Sequence, residues 1–175
     1  MPGLDRVDVV VAARVGAQEL QYHIKKMSGA QIPIVTAAEA PKDPATALIL
    51  IGASPLTDAL GLDLSKIAAE GFIIKTVGNS LVLIGDEAKD PQKALTGELG
   101  DNHGSLFAVY ELLEEQLGCR WIWPGVTGEC IPTSATVEVA DQDIIVEPAT
   151  KRRHFRLVMN RPAGPSANAG LLGDA

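Results

Sequence analysis

The segment that most constrains the fold is Gly71-Phe-Ile-Ile-Lys-Thr-Val-Gly-Asn-Ser-Leu-Val-Leu-Ile-Gly85. Two β-rich runs flank Gly78-Asn79, residues that tolerate the positive φ of a tight turn, so the segment reads as a hairpin. The run Ala47-Leu-Ile-Leu-Ile-Gly52 is continuously apolar and reads as a strand buried on both faces. Strands as apolar as 47–51 and 81–84 need cover on two sides. The segment from Trp121 to Val146 is one candidate for the second cover, and another domain is the alternative.

Helical periodicity appears twice. Ala13, Ala17, Leu20, Ile24 and Met27 recur at spacings of four and three, the signature of an amphipathic helix. Lys25 and Lys26 lie in its last turn, and Gly29 follows as a C-terminal cap. A second helix is expected from about Gly104 to Leu117. Its apolar stripe is Leu106, Tyr110, Leu113 and Leu117, Glu111, Glu114 and Glu115 face outward, and Gly118 ends it.

Shorter strands are expected at Val7–Val11, Ile32–Thr36, Arg120–Trp123 and Thr136–Val139, with at most one helical turn near 64–69. Residues 86–103 read as an exposed loop, with Asp101 or Asn102 capping the second helix. The expected fold is α/β (α+β): a two-layer sandwich with a mixed five- to six-stranded sheet and two main helices on one face. This α/β domain occupies residues 1–148. Residues 149–175, where the periodicity fades, read as a linker that is partly disordered.

Charge divides at the same place. Up to Pro148 there are 21 acidic and 10 basic residues, a net −11, and from Ala149 there are five basic and one acidic, a net +4. An acidic body disfavours nucleic acid, which needs clustered Lys and Arg to neutralise phosphate. No stretch approaches the ~20 apolar residues of a membrane span, and the opening residues lack a signal-peptide pattern. The compartment stays open.

Aromatic residues are only 4% of the chain, against 46% hydrophobic overall, so stacking platforms for sugars are scarce. A glycosidase holds two carboxyls roughly 5–10 Å apart across the scissile bond. Glu114-Glu115, the only adjacent acidic pair in the second helix, reads as a solvated face, since neighbouring helical residues diverge. His23, His103 and His154 are far apart, and His23 reads as a surface residue. No metal site, cofactor or catalytic group is therefore expected. Gly85, Gly97, Gly100 and Gly104 precede a helix N-terminus, an anion-binding arrangement in outline, but their spacing matches neither a phosphate loop nor a dinucleotide fingerprint. Cys119 and Cys130 are either two buried thiols or one disulfide across a turn.

Three segments together carry a resemblance. They are Ala17-Gln-Glu-Leu-Gln-Tyr-His-Ile-Lys-Lys-Met-Ser-Gly-Ala-Gln-Ile-Pro-Ile-Val35, the hairpin opening Glu70-Gly-Phe-Ile-Ile-Lys75, and Gly104 to Gly125, continuing to Gly128-Glu-Cys-Ile-Pro132. The most specific part is Gly118-Cys-Arg-Trp with the Pro-Gly and Gly-Glu-Cys-Ile-Pro that follow. The chain resembles the N-terminal domain of α-glucuronidase-like bacterial proteins over about residues 7–148. More distantly it is similar to the non-catalytic domain that precedes the barrel in β-N-acetylhexosaminidases.

The resemblance implies an accessory domain of a glycoside hydrolase, leading into a TIM-type barrel that holds the catalytic carboxylates. No catalytic residue carries over to this chain. Arg120, Trp121, Trp123 and Glu129 are the candidate positions, either for packing against that barrel or for binding carbohydrate by stacking and hydrogen bonds. Tail residues Arg153, Arg156, Asn160 and Arg161 would lead toward the first barrel strand. Two other readings are a stand-alone carbohydrate-binding module and a scaffold that self-associates through an uncovered sheet face.

Overall fold

The computed structural model describes residues 11–86 and 103–149. Helix α1 spans Val11–Ser28, strand β1 Leu48–Ile51, helix α2 Pro55–Asp58, β2 Phe72–Val77, β3 Ser80–Gly85 and α3 Gly104–Glu111. Strands β4 (Arg120–Trp121), β5 (Glu129–Cys130) and β6 (Asp143–Val146) follow. A 3-10 turn occupies Leu64–Lys66, and α3 runs on into a π-helical turn at Leu112–Gln116.

The hairpin is the centre of the sheet. β2 and β3 pair from Phe72↔Gly85 to Val77↔Ser80, leaving Gly78 and Asn79 as the two-residue turn. Gly78 alone takes a positive φ there, +57°, the pattern of a turn with glycine at its first central position. β1 joins β3 in parallel and β6 joins β2 antiparallel, giving the order β1-β3-β2-β6. The sheet is therefore mixed, and four strands form it among the described residues. β4 and β5 form a separate two-stranded ribbon.

Alternation along the hairpin builds two cores. Phe72, Ile74 and Leu83 face α1 and α3, where Leu20, Ile24, Met27, Ala108, Val109, Leu112, Leu113, Leu117 and Cys119 complete a buried cluster. The two main helices thus cover one face. Ile73, Val82 and Ile84 point the other way and are buried beneath Leu50, Leu60, Leu62 and Ile67. The second cover is the 55–67 segment, which folds back because α2 is closed by a capping box. The Ser54 hydroxyl accepts the Thr57 N–H at 3.2 Å, and the Thr57 hydroxyl accepts the Ser54 N–H at 2.7 Å. The Trp121–Val146 segment does not supply it, so the face expected to be bare is partly clothed by the chain itself. Beside β6 the same face carries the Lys75–Asp143 pair at 2.8 Å and an exposed Ile145.

Several expectations are corrected. Residues 7–10 lie outside the described residues, and Val11 is the first residue of α1 rather than the end of a strand. Residues 32–36 form no strand: Pro33 has no N–H to give a ladder, and Ile34 and Val35 are exposed while Ile32 packs on the core. β1 is not buried on both faces. It is an edge strand among those described, with Ile49 41% exposed. Residues 136–139 are unpaired, and the last strand is β6, whose register Ile73↔Ile145 places apolar side chains on β2. Residues 87–102, including Asp101 and Asn102, and those from 150 onward lie outside the described residues. The residue at the N-cap position of α3 is His103, which makes no side-chain capping bond.

α3 reaches the sheet because glycines meet at its start. The Gly71 carbonyl accepts the Asp86 N–H at 3.0 Å, the Asp86 carbonyl accepts the Gly104 N–H at 2.9 Å, and the buried Ser105 hydroxyl accepts the Gly85 N–H at 3.1 Å. A methyl group on Gly104 would stand 2.5 Å from the Gly71 carbonyl oxygen and 2.7 Å from the Gly85 Cα. These are backbone atoms that cannot rotate away. Gly104→Ala is therefore expected to cost about 2–3 kcal/mol as an overpacked contact. Gly61→Ala, at a positive φ but in open space, should cost only about 1–2 kcal/mol. Urea midpoints at unchanged slope measure both. Equal losses would show that the glycine contact does not constrain the helix.

Candidate interaction site at the β4–β5 ribbon

The four residues singled out from sequence, Arg120, Trp121, Trp123 and Glu129, all fall on the β4–β5 ribbon or its loop. What delivers them is the π-turn. The Leu112 carbonyl accepts the Leu117 N–H at 3.1 Å, and the Leu113 carbonyl accepts the Cys119 N–H at 2.8 Å. Gly118, at φ +72°, then turns the chain out of the helix. Cys119 is buried in the core and the ribbon begins at the next residue.

Arg120 is spent on its own helix. Its guanidinium donates to the carbonyls of Glu114 and Cys119 and lies 3.9 and 3.7 Å from the carboxylates of Glu114 and Glu115. Donors at a helix C-terminus satisfy carbonyls that have no partner in the helix. Because about half of each side chain is exposed, the ion pairs themselves contribute little. The arginine closes α3 and fixes where β4 starts.

Trp121 is the ribbon's anchor. It is 37% exposed, and its indole meets the rings of His23 and Tyr110 edge-on at 5.2 and 5.4 Å. Opposite it in the register stands Glu129, whose carboxylate accepts the Tyr22 hydroxyl at 2.8 Å. Lys26 sits 5.0 Å above the Tyr22 ring, and the Tyr22 partner holds its ammonium above the ordinary lysine range. Burial raises the Tyr110 hydroxyl above its ordinary range, helped by the charge and hydrogen bond of Glu19. Ribbon, α1 and α3 are thus joined through one aromatic seam.

His23 lies inside this seam and not at the surface as expected. It is 1% exposed, its Nδ1–H donates to the Glu19 carbonyl at 2.8 Å, and its Nε2 is buried without a partner. None of Tyr22, His23 and Tyr110 is a site candidate from the sequence, where Tyr110 belongs to an apolar stripe and His23 reads as a surface residue. The one available signal was position, since His23 falls between Leu20 and Ile24 on the buried stripe.

Trp123 is placed differently. Between the strands, residues 122–128 form a loop closed by two bonds: the Gly128 carbonyl accepts the Ile122 N–H, and the Gly125 carbonyl accepts the Gly128 N–H, each at 2.9 Å. Gly128 lies so close to the backbone of Trp123 that a side chain there would collide with it. On this pinned loop Ile122, Trp123 and Val126 are 76, 71 and 68% exposed. Three large apolar side chains on one short loop form a patch of the kind that marks interaction sites.

Glu129 is bound to Tyr22, and among the described residues no three His, Cys, Asp or Glu side chains group as metal ligands. A cavity of about 220 Å³ at the β2–β3 turn is lined by Thr76, Asn79, Ser80 and Leu81, with Asp141 its one carboxylate. Both cysteines are free. Alternation explains this, since Arg120↔Cys130 pairing puts Cys130 on the outer face while Cys119 points inward.

No known family model matches the chain, and no curated protein does.

Three outcomes follow from this geometry. Trp121→Ala should cost about 2–3 kcal/mol, less than a fully buried tryptophan because the ring is part exposed, whereas Trp123→Ala should stay within about 0.5 kcal/mol; denaturant melts of the two variants decide it. Burial pushes the Cys119 thiol up in pKa, so native protein should present one fast thiol to a chromogenic disulfide reagent, Cys130, and the second only on unfolding. Glu111 is raised above the ordinary carboxylate range, first by burial and then by Glu115 and Glu114. A raised carboxyl loses folded stability as pH climbs through its titration. Glu111→Gln should therefore stabilise at neutral pH, and its advantage should shrink toward about pH 4, where the wild-type carboxyl is protonating in both states.

Proposed function

We propose that this is a non-catalytic accessory domain of a glycoside hydrolase, packing against and supporting a TIM-barrel catalytic domain of the same polypeptide. The observation that carries the reading is the pinned apolar loop 122–128, with Ile122, Trp123 and Val126 turned to solvent. A stable fold gains nothing from leaving these side chains in water, and a docked neighbour would bury them. Two backbone hydrogen bonds already close the loop, which lowers the ordering entropy that opposes docking. The resemblance of Gly104–Pro132 to α-glucuronidase-like N-terminal domains supports the identity of that neighbour, and the fold class it implies agrees with a mixed sheet covered by two main helices.

In this reading the four residues divide their roles. Arg120, Trp121 and Glu129 hold the ribbon to α1 and α3, and Trp123 makes the contact. A carbohydrate-binding module is the second reading, and what favours it is the same open Trp123 indole, a face on which a sugar ring stacks.

The test compares Trp123→Asp in the chain alone and in the parent polypeptide. In the chain alone the variant should unfold like wild type. In the parent it should separate the melting of this domain from that of the barrel and expose residues 150–160 to trypsin. Identical melting and cleavage of parent and variant would overturn the packing role, as would hydrolysis of aryl glycosides by the purified chain. Saturable heat with uronic-acid or N-acetylhexosamine oligosaccharides, lost in Trp123→Ala, would select the binding module instead.

A further inference from the structure

We draw no further inference here: the strongest candidate, the exposed apolar patch of Ile122, Trp123 and Val126 on the loop joining β4 and β5, belongs to the site already described, and nothing in the structure shows what covers it.

Discussion

The close approach of α3 to the end of the central hairpin is the constraint on which the other parts depend. Gly71, Gly85 and Gly104 bring three backbones together at distances no side chain permits. With its start fixed there, α3 lies against the sheet and lowers Ala108, Val109, Leu112 and Leu113 onto Ile74 and Leu83. Its far end is then equally fixed, and that end is where the ribbon departs. Removing water from this much aliphatic surface is the main stabilising term in a chain so poor in aromatics.

The ribbon converts a helix end into a surface feature. A two-residue strand pair is marginal alone, and β4–β5 persists because it is tied at three points. Arg120 binds the carbonyls at the end of α3, Trp121 packs edge-on against His23 and Tyr110, and Glu129 takes the Tyr22 hydroxyl. One defect is tolerated inside the seam: the buried Nε2 of His23 has no partner, at a typical cost of about 1–3 kcal/mol. Around it stand Tyr22, Trp121 and, one ring further, Tyr110, which act as struts. Trp123 is 71% exposed against 37% for Trp121 and has no such ring contacts among the described residues, so the two tryptophans have different roles despite standing two residues apart.

That contrast shows where sequence reasoning reached its limit at the site. Naming Arg120, Trp121, Trp123 and Glu129 required only the short motif that carries the resemblance. Sorting them required knowing that α1 runs past the ribbon, because Tyr22 and His23 lie about a hundred residues away in the chain. The same limit explains the misplaced strands. Residues 32–36 and 136–139 carry strand-like residues, but a strand exists only where a neighbour offers a free edge. β6, with its acidic start at Asp143, qualifies because β2 presents one and Lys75 meets the acid.

By itself the sequence determined the local elements whose signals are local. These are the hairpin at Gly78-Asn79, the apolar stripe of α1, and glycine terminations at Gly29 and Gly118. Each follows from the conformational freedom of one or two residues, or from a period along a single helix. Tertiary structure alone decided that the described strands pair in the order β1-β3-β2-β6, that the 55–67 segment covers the second face of their sheet, and that His23 is buried. Pairing partners and burial are properties of two distant segments at once, and no single segment encodes them.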